Sequence, residues 1–342
     1  MAAYTTIDNP ELYFQNKIYS GDGNDDRSIT LDGSENMQPD IVWLAERNTT
    51  SGHAIHDSAR GVDKFLFPYA TNAEGTSTAR VKSFDSDGFT VGTSGATNGS
   101  SDKYVAWCWK ESADAGMDIV KFTGNQTART ISHSLSAKPE WLWIKNREKV
   151  ESWHMQHGAL GADNTQESNT NGAFGAGSTI WNDTEPTTSV FSVGNNGNIN
   201  ETGSDIVVWL WAGKQGFSKF GKYTGNGNAD GPQIFLGFQP AWVLLKRSDS
   251  TSNWSLFDNR RTGATKGGTL GKANPMELLL HPDLDNGEAN VADGGYSIDG
   301  LATGFKVRAS AANVNASGGT YVFMAFADAP LTNSNGVPCN AM

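Results

Sequence analysis

The sequence predicts an all-β protein, and three observations support this prediction. No stretch keeps apolar residues at the i, i+3, i+4, i+7 spacing of a helix over three turns. Short runs of β-branched and aromatic residues are instead separated by Gly, Asn and Asp clusters about every 8 to 15 residues. Gly makes up 39 of the 342 residues and only 18% are charged, a composition that suits many turns and few long helices.

The strand that follows a proline occurs three times. Pro39, Pro139 and Pro240 each precede a similar apolar run, which reads Ile-Val-Trp-Leu at 41–44, Trp-Leu-Trp-Ile at 141–144 and Trp-Val-Leu-Leu at 242–245. The prolines are about one small domain apart. Each run is therefore predicted to belong to one copy of a repeated module.

Other segments recur in the same order within each copy. A Gly-Asn turn opens each copy, a strand-like piece containing Phe89, Phe191 or Phe305 follows late, and an aromatic run at 105–109, 207–211 or 322–326 closes it. About 100 residues with several such runs suits one two-sheet sandwich. The predicted organisation is an N-terminal segment at 1–16, three tandem β-sandwich modules at 17–113, 114–216 and 217–331, and a C-terminal tail at 332–342.

Charge, hydropathy and cysteine content exclude several classes of protein. The net charge of −11 and the lack of a Lys/Arg cluster argue against a nucleic-acid partner. No apolar run reaches the 18 residues of a membrane span, and the first residues lack the basic start and apolar stretch of a signal peptide. We therefore expect that the protein is made in the cytoplasm and does not insert into a membrane. Cys108 is expected to be a buried thiol in a closing strand, and Cys339 lies in the tail.

Histidine pairs and an acidic loop resemble metal sites. His53 and His56, and likewise His154 and His157, lie three apart, so in a strand they point to opposite faces and do not easily share an ion. The loop at 22–26 is rich in carboxylates but lacks the glycine and glutamate expected at the sixth and twelfth positions of a calcium loop. A turn is the favoured reading, and bound calcium stays open. We expect no metal site and no cofactor.

Catalytic motifs are not found. The sequence contains no Gly-x-Ser-x-Gly elbow, no His-Glu-x-x-His and no phosphate-binding loop. A carboxylate pair for glycoside cleavage stays possible, but Asp57 and Asp258 match each other while the second copy has His157 there. The sequence therefore predicts a protein that is not an enzyme and has no catalytic residues.

The tryptophans allow two interpretations, sugar stacking or core packing. Trp107 and Trp109 point to one side of their strand, as do Trp209 and Trp211, and the third copy has Met324 and Phe326 there. This exchange keeps the bulk but loses the indole N–H. Core packing is therefore favoured over ligand stacking.

Recognition is more plausible where the copies differ. The third copy carries an insertion of about 13 residues around 277–300, and long loops on a rigid scaffold often carry recognition. The alternative is that this insertion is a surface loop without a function. The candidate recognition residues are His281, Asp283, Asp285, Glu288 and Tyr296.

The first sixteen residues lie outside the repeat and are aromatic and apolar for a chain end. Such a segment can dock on a partner or lie across its own first module. The candidate docking residues are Tyr4, Leu12, Tyr13 and Phe14.

Several of these segments together resemble a known repeat domain. They are residues 87–92, 104–110, 131–135, 181–183 and 223–232, which read Asp-Gly-Phe-Thr-Val-Gly, Tyr-Val-Ala-Trp-Cys-Trp-Lys, Ile-Ser-His-Ser-Leu, Trp-Asn-Asp and Tyr-Thr-Gly-Asn-Gly-Asn-Ala-Asp-Gly-Pro. The chain resembles, over roughly residues 4–330, a repeat domain of tailed and largely marine bacteriophages. The resemblance implies a virion structural protein, usually labelled tail fibre, with jelly-roll or lectin-like sandwich modules and no assigned catalytic residues.

The function expected from the sequence is that of a non-enzymatic virion component, a tail fibre or tail-associated adhesin that contacts a glycan or protein of the host surface. The N-terminal segment is expected to bind other virion proteins, and a homotrimer is favoured because it would cover exposed edge strands. The alternatives are a capsid or tail decoration protein without a ligand and, less favoured, a glycan-degrading spike.

Overall fold

The computed structural model describes residues 4–261, 274–290 and 296–338. Within these ranges nearly all regular structure is antiparallel strand, and the α-helices are single turns. The all-β prediction is confirmed. Cys339 lies outside the described residues.

The strands fall into three successive groups, which we call units 1, 2 and 3. Unit 1 is preceded by a 3-10 turn at Pro10–Leu12 and contains the single-turn helix α1 at Gly95–Asn98. Its strands are β1 (Phe14–Ser20), β2 (Arg27–Thr30), β3 (Ile41–Glu46), β4 (His53–Asp57), β5 (Lys64–Phe65), β6 (Gly75–Thr76), β7 (Val81–Asp85), β8 (Gly88–Val91) and β9 (Lys103–Trp109).

Unit 2 follows with the same beginning and end. It contains the helical turns α2 at Ser178–Trp181 and α3 at Gly197–Asn200. Its strands are β10 (Met117–Thr123), β11 (Arg129–Ser132), β12 (Trp141–Asn146), β13 (His154–His157), β14 (Asn164–Glu167), β15 (Gly175–Ala176), β16 (Val190–Val193) and β17 (Asp205–Trp211).

Unit 3 completes the described chain and contains the helical turn α4 at Ala312–Asn315. Its strands are β18 (Ser218–Thr224), β19 (Gln233–Phe235), β20 (Phe238–Arg247), β21 (Ser255–Asp258), β22 (Leu278–Leu279), β23 (Ala289–Asn290), β24 (Ile298–Leu301), β25 (Gly304–Val307) and β26 (Thr320–Pro330).

Each unit has a main sheet with the same strand order. The orders are β1-β9-β3-β4, β10-β17-β12-β13 and β18-β26-β20-β21, so the first strand of a unit always pairs with its last. In unit 2 this sheet continues into β14 and β15. A small sheet faces each main sheet, with orders β2-β8-β7, β11-β16 and β19-β25-β24. The repeat in the sequence therefore corresponds to a repeat of topology.

The central strands are buried on both faces, which explains their almost continuous apolar sequence. In β9, Val105, Trp107 and Trp109 belong to a cluster that runs through all three units, which we call the central core. Ala106 and Cys108 point the other way, into a separate core under the small sheet of unit 1. Strand alternation therefore supplies two cores from one strand.

The tryptophan faces of the three main sheets meet in the central core. The Trp43 ring of unit 1 lies 5.4 Å from that of Trp143 in unit 2 and 6.3 Å from that of Trp242 in unit 3. Trp109 lies 6.3 Å from Trp211 and 5.6 Å from Trp242. The three main sheets therefore share one apolar centre, and the division into three tandem modules stays a prediction.

This core confirms the interpretation of the closing tryptophans. Trp107 and Trp209 are at most 1% exposed, and Trp109 and Trp211 are at most 4% exposed. Sugar rings cannot stack on indoles that lie inside the protein. Core packing was therefore the right reading of these four side chains.

Strand β1 begins at Phe14 rather than after residue 16. Phe14 is buried and stacks on Phe326 of unit 3 at 5.1 Å. The predicted boundary between the N-terminal segment and the first module thus cuts through a strand. Among the described residues there is no helix long and apolar enough to cross a membrane.

Candidate functional site

The contact between units 1 and 2, which we call junction 1–2, is made by buried charges. Asp57 at the end of β4 binds Arg60 of its own unit at 2.5 Å and accepts a hydrogen bond from the indole of Trp209 in unit 2 at 3.1 Å. The Arg60 guanidinium lies 5.3 Å from the centre of the Trp209 ring. Glu74 binds Arg147 of unit 2 through both carboxylate oxygens, at 2.9 and 2.8 Å.

The contact between units 3 and 1, junction 3–1, repeats this arrangement residue for residue. Asp258 binds Arg261 at 2.6 Å and accepts from the indole of Trp107 in unit 1 at 3.0 Å. Glu288 binds Arg47 of unit 1 through both oxygens, at 2.9 and 3.0 Å. The two junctions are therefore built from one set of five residues.

The contact between units 2 and 3, junction 2–3, has the same backbone geometry but no charges in this set. His157 takes the place of Asp57, and its Nε2 bonds the carbonyl of Phe323 at 3.1 Å, beside Met324. The backbone N–H of Phe174 donates to the backbone carbonyl of Ser248 at 2.9 Å. At junction 1–2 the backbone N–H of Glu74 donates in the same way to the backbone carbonyl of Arg147, at 2.6 Å. The full set here is His157, Leu160, Phe174, Ser248 and Met324.

The residues on the two sides of a junction match each other. Where the tryptophan donor is replaced by Met324, the carboxylate acceptor is replaced by His157. This agrees with the cost of a buried carboxylate that lacks its donors. The three equivalent contacts lead from unit 1 to 2, from 2 to 3 and from 3 back to 1, which closes a pseudo-threefold ring.

The buried acids of the ionic junctions are not arranged for catalysis. The side chains of Asp57, Arg60, Asp258 and Arg261 are 0% exposed, so substrate has no access to them. Asp57 and Asp258 also cap the backbone N–H groups of Arg60 and Arg261 at 2.8 Å. These carboxylates hold the units together.

A polar groove lies on unit 2, at the edge of its main sheet. It has a volume of about 400 Å3 and is bounded by β13, β14, β15 and the turns α2 and α3. The polar residues that line it are His154, Thr165, Gln166, Glu167, Thr170, Thr179, Asn196 and Asn198. This groove is the candidate functional site.

His154 is the most constrained of these side chains. Its Nε2 lies 3.5 Å from the amide nitrogen of Asn198, and its Nδ1 has no hydrogen-bond partner among the described residues. Burial lowers the pKa of His154 to about 4, so the imidazole is neutral at pH 7. With Nε2 accepting from Asn198, Nδ1 carries the proton and presents an unused donor.

Gln166 holds the turn that follows β14, and its side chain lies on the sheet face of its pairing partner Met155. Its Nε2 donates to the carbonyls of Glu167, Thr170 and Gly172, which fixes the turn after β14. Its Oε1 is buried and has no partner in the described part of the chain.

The residues that line this groove differ from those at the equivalent positions of units 1 and 3. At the positions of His154, Asn196 and Asn198, unit 1 has Ala54, Ser94 and Ala96, and unit 3 has Ser255, Ala311 and Asn313. Gln166 pairs with Met155, whereas the corresponding partners of Ile55 and Leu256 are Leu66 and Leu280. Unit 2 is therefore the unit in which this edge is lined by amides and imidazole.

The predicted docking residues lie mainly against their own chain. Phe14 is in the central core, and Tyr13 packs edge-on against Phe217 of unit 3 at 6.1 Å. The Tyr4 hydroxyl donates to the carbonyl of Gly237 at 2.7 Å. Leu12 is 39% exposed. The segment crosses between units 1 and 3. Docking on another protein stays a prediction, and in this fold Leu12 and the exposed parts of Tyr4 and Tyr13 are the predicted residues that a partner could contact.

Three residues of the predicted recognition loop make polar contacts within the protein. Glu288 is buried in its ion pair with Arg47, Asp283 caps the backbone N–H of Trp254 at 3.1 Å, and His281 bonds the Trp254 carbonyl at 2.5 Å. These three residues therefore bind within the protein through at least one polar atom each, and their role in recognition stays a prediction.

Two residues of the predicted recognition loop keep that prediction open. Asp285 is exposed, and Tyr296 is partly buried against the central core. Within the described ranges, neither makes a hydrogen bond of the kind found for Glu288, Asp283 and His281.

The metal-like motifs have local explanations. Asp22 accepts from the backbone of Asn24 at 2.9 Å, and Lys82 binds both Asp25 and Asp26. Burial lowers the pKa of both His53 and His56 to about 3. In the described ranges no group of three or more His, Cys, Asp or Glu side chains could hold a metal ion.

Sequence reasoning missed a buried asparagine that each unit uses to hold its opening loop. Asn98 accepts from the backbone N–H of Asp22 and donates to the carbonyls of Asn24 and Gly92, at 2.8 to 3.1 Å. Asn200 and Asn315 make the same three bonds in their units. Their nearly constant distance from Phe89, Phe191 and Phe305 was a visible signal.

Comparison with known families identifies one match. A family model described as Domain of unknown function (DUF7483) matches residues 9–330, and the chain belongs to this family. No curated protein matches the chain.

Proposed function

We propose that this DUF7483 protein is a non-enzymatic component of a tailed-bacteriophage virion, an adhesin that contacts the host surface. The proposal is supported by the resemblance of the segments at 87–92, 104–110 and 223–232 to phage repeat domains. The net charge of −11 is in keeping with a partner other than nucleic acid.

The observation that carries the proposal is the use of the buried charges. Asp57, Glu74, Asp258 and Glu288 each bind arginine, and two of them also accept an indole N–H. The acids that a sequence comparison would first consider for catalysis thus serve as cross-links between units. A protein whose buried acids are used in this way suits a binding scaffold more than an enzyme.

Rigidity also favours an attachment role. A sheet system that shares one core and closes into a ring changes its shape little on binding, so ligand groups on its rim are preorganised. The groove of unit 2 lies on such a rim, between β13, β14 and the turn α3.

The position of the protein in the particle tests the proposal. A particle reconstruction fitted with this fold is expected to place it at the tail tip, fibre or baseplate. Absence from the particle would contradict a virion role, and copies on capsid symmetry axes would contradict the adhesin role. Purified protein should also bind host cells, and it should release no reducing sugar from host polysaccharide.

A decoration protein is the second candidate, and one observation favours it. The three equivalent junctions give one chain a pseudo-threefold body, which matches the local symmetry of a threefold site on a shell without oligomerisation. A homotrimer, favoured by the sequence, stays a proposal, and sedimentation analysis would decide between a monomer and a trimer. Contact with other virion proteins is proposed through the N-terminal segment, at Leu12, Tyr4 and Tyr13.

A further inference from the structure

We propose that the groove of unit 2 binds a neutral saccharide, with His154 and Asn198 as its principal hydrogen-bonding residues. The inference rests on the proposed attachment function and deepens it, because it assigns the host-surface ligand to a chemical class and a place.

The first argument is the balance of donors and acceptors. Amides, hydroxyls and a neutral imidazole line the groove, at Asn196, Asn198, Thr165, Thr179 and His154. Each of these groups pairs well with a hydroxyl, which both donates and accepts. A pyranose ring presents several hydroxyls at short spacing, so it matches such a lining.

One buried polar atom of the lining is unused. His154 is 4% exposed, yet its Nδ1 has no hydrogen-bond partner within the described residues. An unsatisfied buried polar atom costs free energy. A ligand hydroxyl at the His154 donor would remove that cost, so binding would recover it.

The charges around the groove disfavour anionic ligands. No Lys or Arg is among the residues that line the groove, and Glu167 is the charged residue there. A phosphate, a sulfate or a sialic acid carboxylate would find no cation to pair with and would meet Glu167. A neutral sugar meets neither problem.

Size and shape agree with a small saccharide. The volume of about 400 Å3 falls within the range of small-ligand sites. Ala173, Ala176 and Ile180 supply apolar surface for the C–H faces of a sugar. No aromatic residue is among those that line the groove, so we expect weak affinity for one ring and useful avidity only from many copies.

The repeat supplies conservative variants for the test. Replacing His154 and Asn198 by alanine gives unit 2 the residues that unit 1 has at Ala54 and Ala96, so the fold should tolerate the change. The matched control is Asn313→Ala, which removes the counterpart of Asn198 from unit 3, away from the groove.

The experiment measures binding of the full chain to an array of neutral and anionic oligosaccharides, followed by titration of the best neutral ligand. We expect neutral glycans to bind, the double variant His154→Ala, Asn198→Ala to lose at least about tenfold in affinity, and Asn313→Ala to match the wild type. The ring ¹⁵N resonance of His154 Nδ1 should shift on titration. Binding of anionic glycans alone, binding of none, or equal binding by the double variant would overturn the assignment.

Failure of this inference and failure of the proposed function give different results. If the wild type and the double variant adhere equally to host cells, the protein is an adhesin that uses another surface. If the wild type binds neutral glycans through the groove but does not adhere to host cells, the groove assignment holds and the attachment function is wrong.

Discussion

Junction 1–2 and junction 2–3 join neighbouring units through the same backbone contacts but with opposite chemistry. In the first, Glu74 and Arg147 form a two-bond ion pair. In the second, Phe174 and Ser248 occupy those positions and keep the main-chain hydrogen bond between them. The fold therefore accepts either an ionic or a neutral set at one place.

The difference shows that the set changes as a whole. Asp57, Arg60 and Trp209 form one buried network, and His157, Leu160 and Met324 replace all three members. Removing one partner of a buried pair is costly, whereas exchanging both is often nearly neutral. The two junctions therefore show two self-consistent sets of residues at equivalent positions of one fold.

The largest effect is expected from breaking the ionic set at one residue. Asp57→Ala leaves the Trp209 indole N–H and the Arg60 Nε–H buried without their acceptor, while the rest of the Arg60 guanidinium keeps Glu74 and the Ile55 carbonyl. We expect the free energy of unfolding to fall by about 3–5 kcal/mol, measured by urea denaturation. The control is Asp285→Ala at an exposed position, which should change it by less than about 0.5 kcal/mol. A loss of similar small size for both variants would show that the network does not stabilise the junction.

The neutral junction should instead be sensitive to acid. Burial lowers the pKa of His157 to about 4, below its ordinary value of 6.5. Between these values the unfolded chain binds a proton that the folded chain does not, so stability falls as the pH decreases from about 6.5 to 4.

His157→Gln tests this sensitivity. Glutamine can donate to the Phe323 carbonyl and accept from the Ala159 N–H, as His157 does, but it does not titrate. Because His53, His56 and His154 titrate in both proteins, the comparison isolates His157. Between pH 7 and pH 4 we expect the free energy of unfolding to fall by on the order of 2–3 kcal/mol less in the variant than in the wild type. Identical acid profiles for the two proteins would rule out a buried neutral His157.

A smaller effect of opposite sign is expected near the connection between units 1 and 2. Burial and a hydrogen bond with Asp118 raise the pKa of Glu111 from 4.5 to about 7. The folded chain then keeps a proton that the unfolded chain has lost, so this contribution to stability is present below pH 4.5 and disappears as the pH rises through 7. Glu111→Gln should melt at the wild-type temperature at pH 4.5 and a few degrees above it at pH 8.5. A constant difference across this range would contradict the shifted pKa.

The sequence predicted the fold class and much of the core because both depend on local patterns. Strand alternation assigned Trp107 and Trp109 to a buried face, and the recurrence of the proline-led strand aligned the three copies. It did not predict that the faces of three sheets meet, since that requires contacts such as Trp43 with Trp143, about 100 residues apart along the chain.

The candidate site was predicted less well, for a related reason. The greater length of the insertion near Glu288 predicts a recognition loop, but length alone does not indicate that Glu288 pairs with Arg47 at junction 3–1. His154 was considered only as one half of a metal motif. Its partner Asn198 comes from a turn 44 residues later, and no local pattern connects the two.

The most direct test of the coupled junction is a double-mutant cycle between Glu74 and Arg147. Glu74→Phe and Arg147→Ser each introduce the residue found at junction 2–3, and the double variant introduces both. We predict that the double variant is more stable than the sum of the single losses, with a coupling free energy of about 2 kcal/mol. Losses that add within about 0.5 kcal/mol would contradict the account, because the two units would then meet at this place without depending on each other.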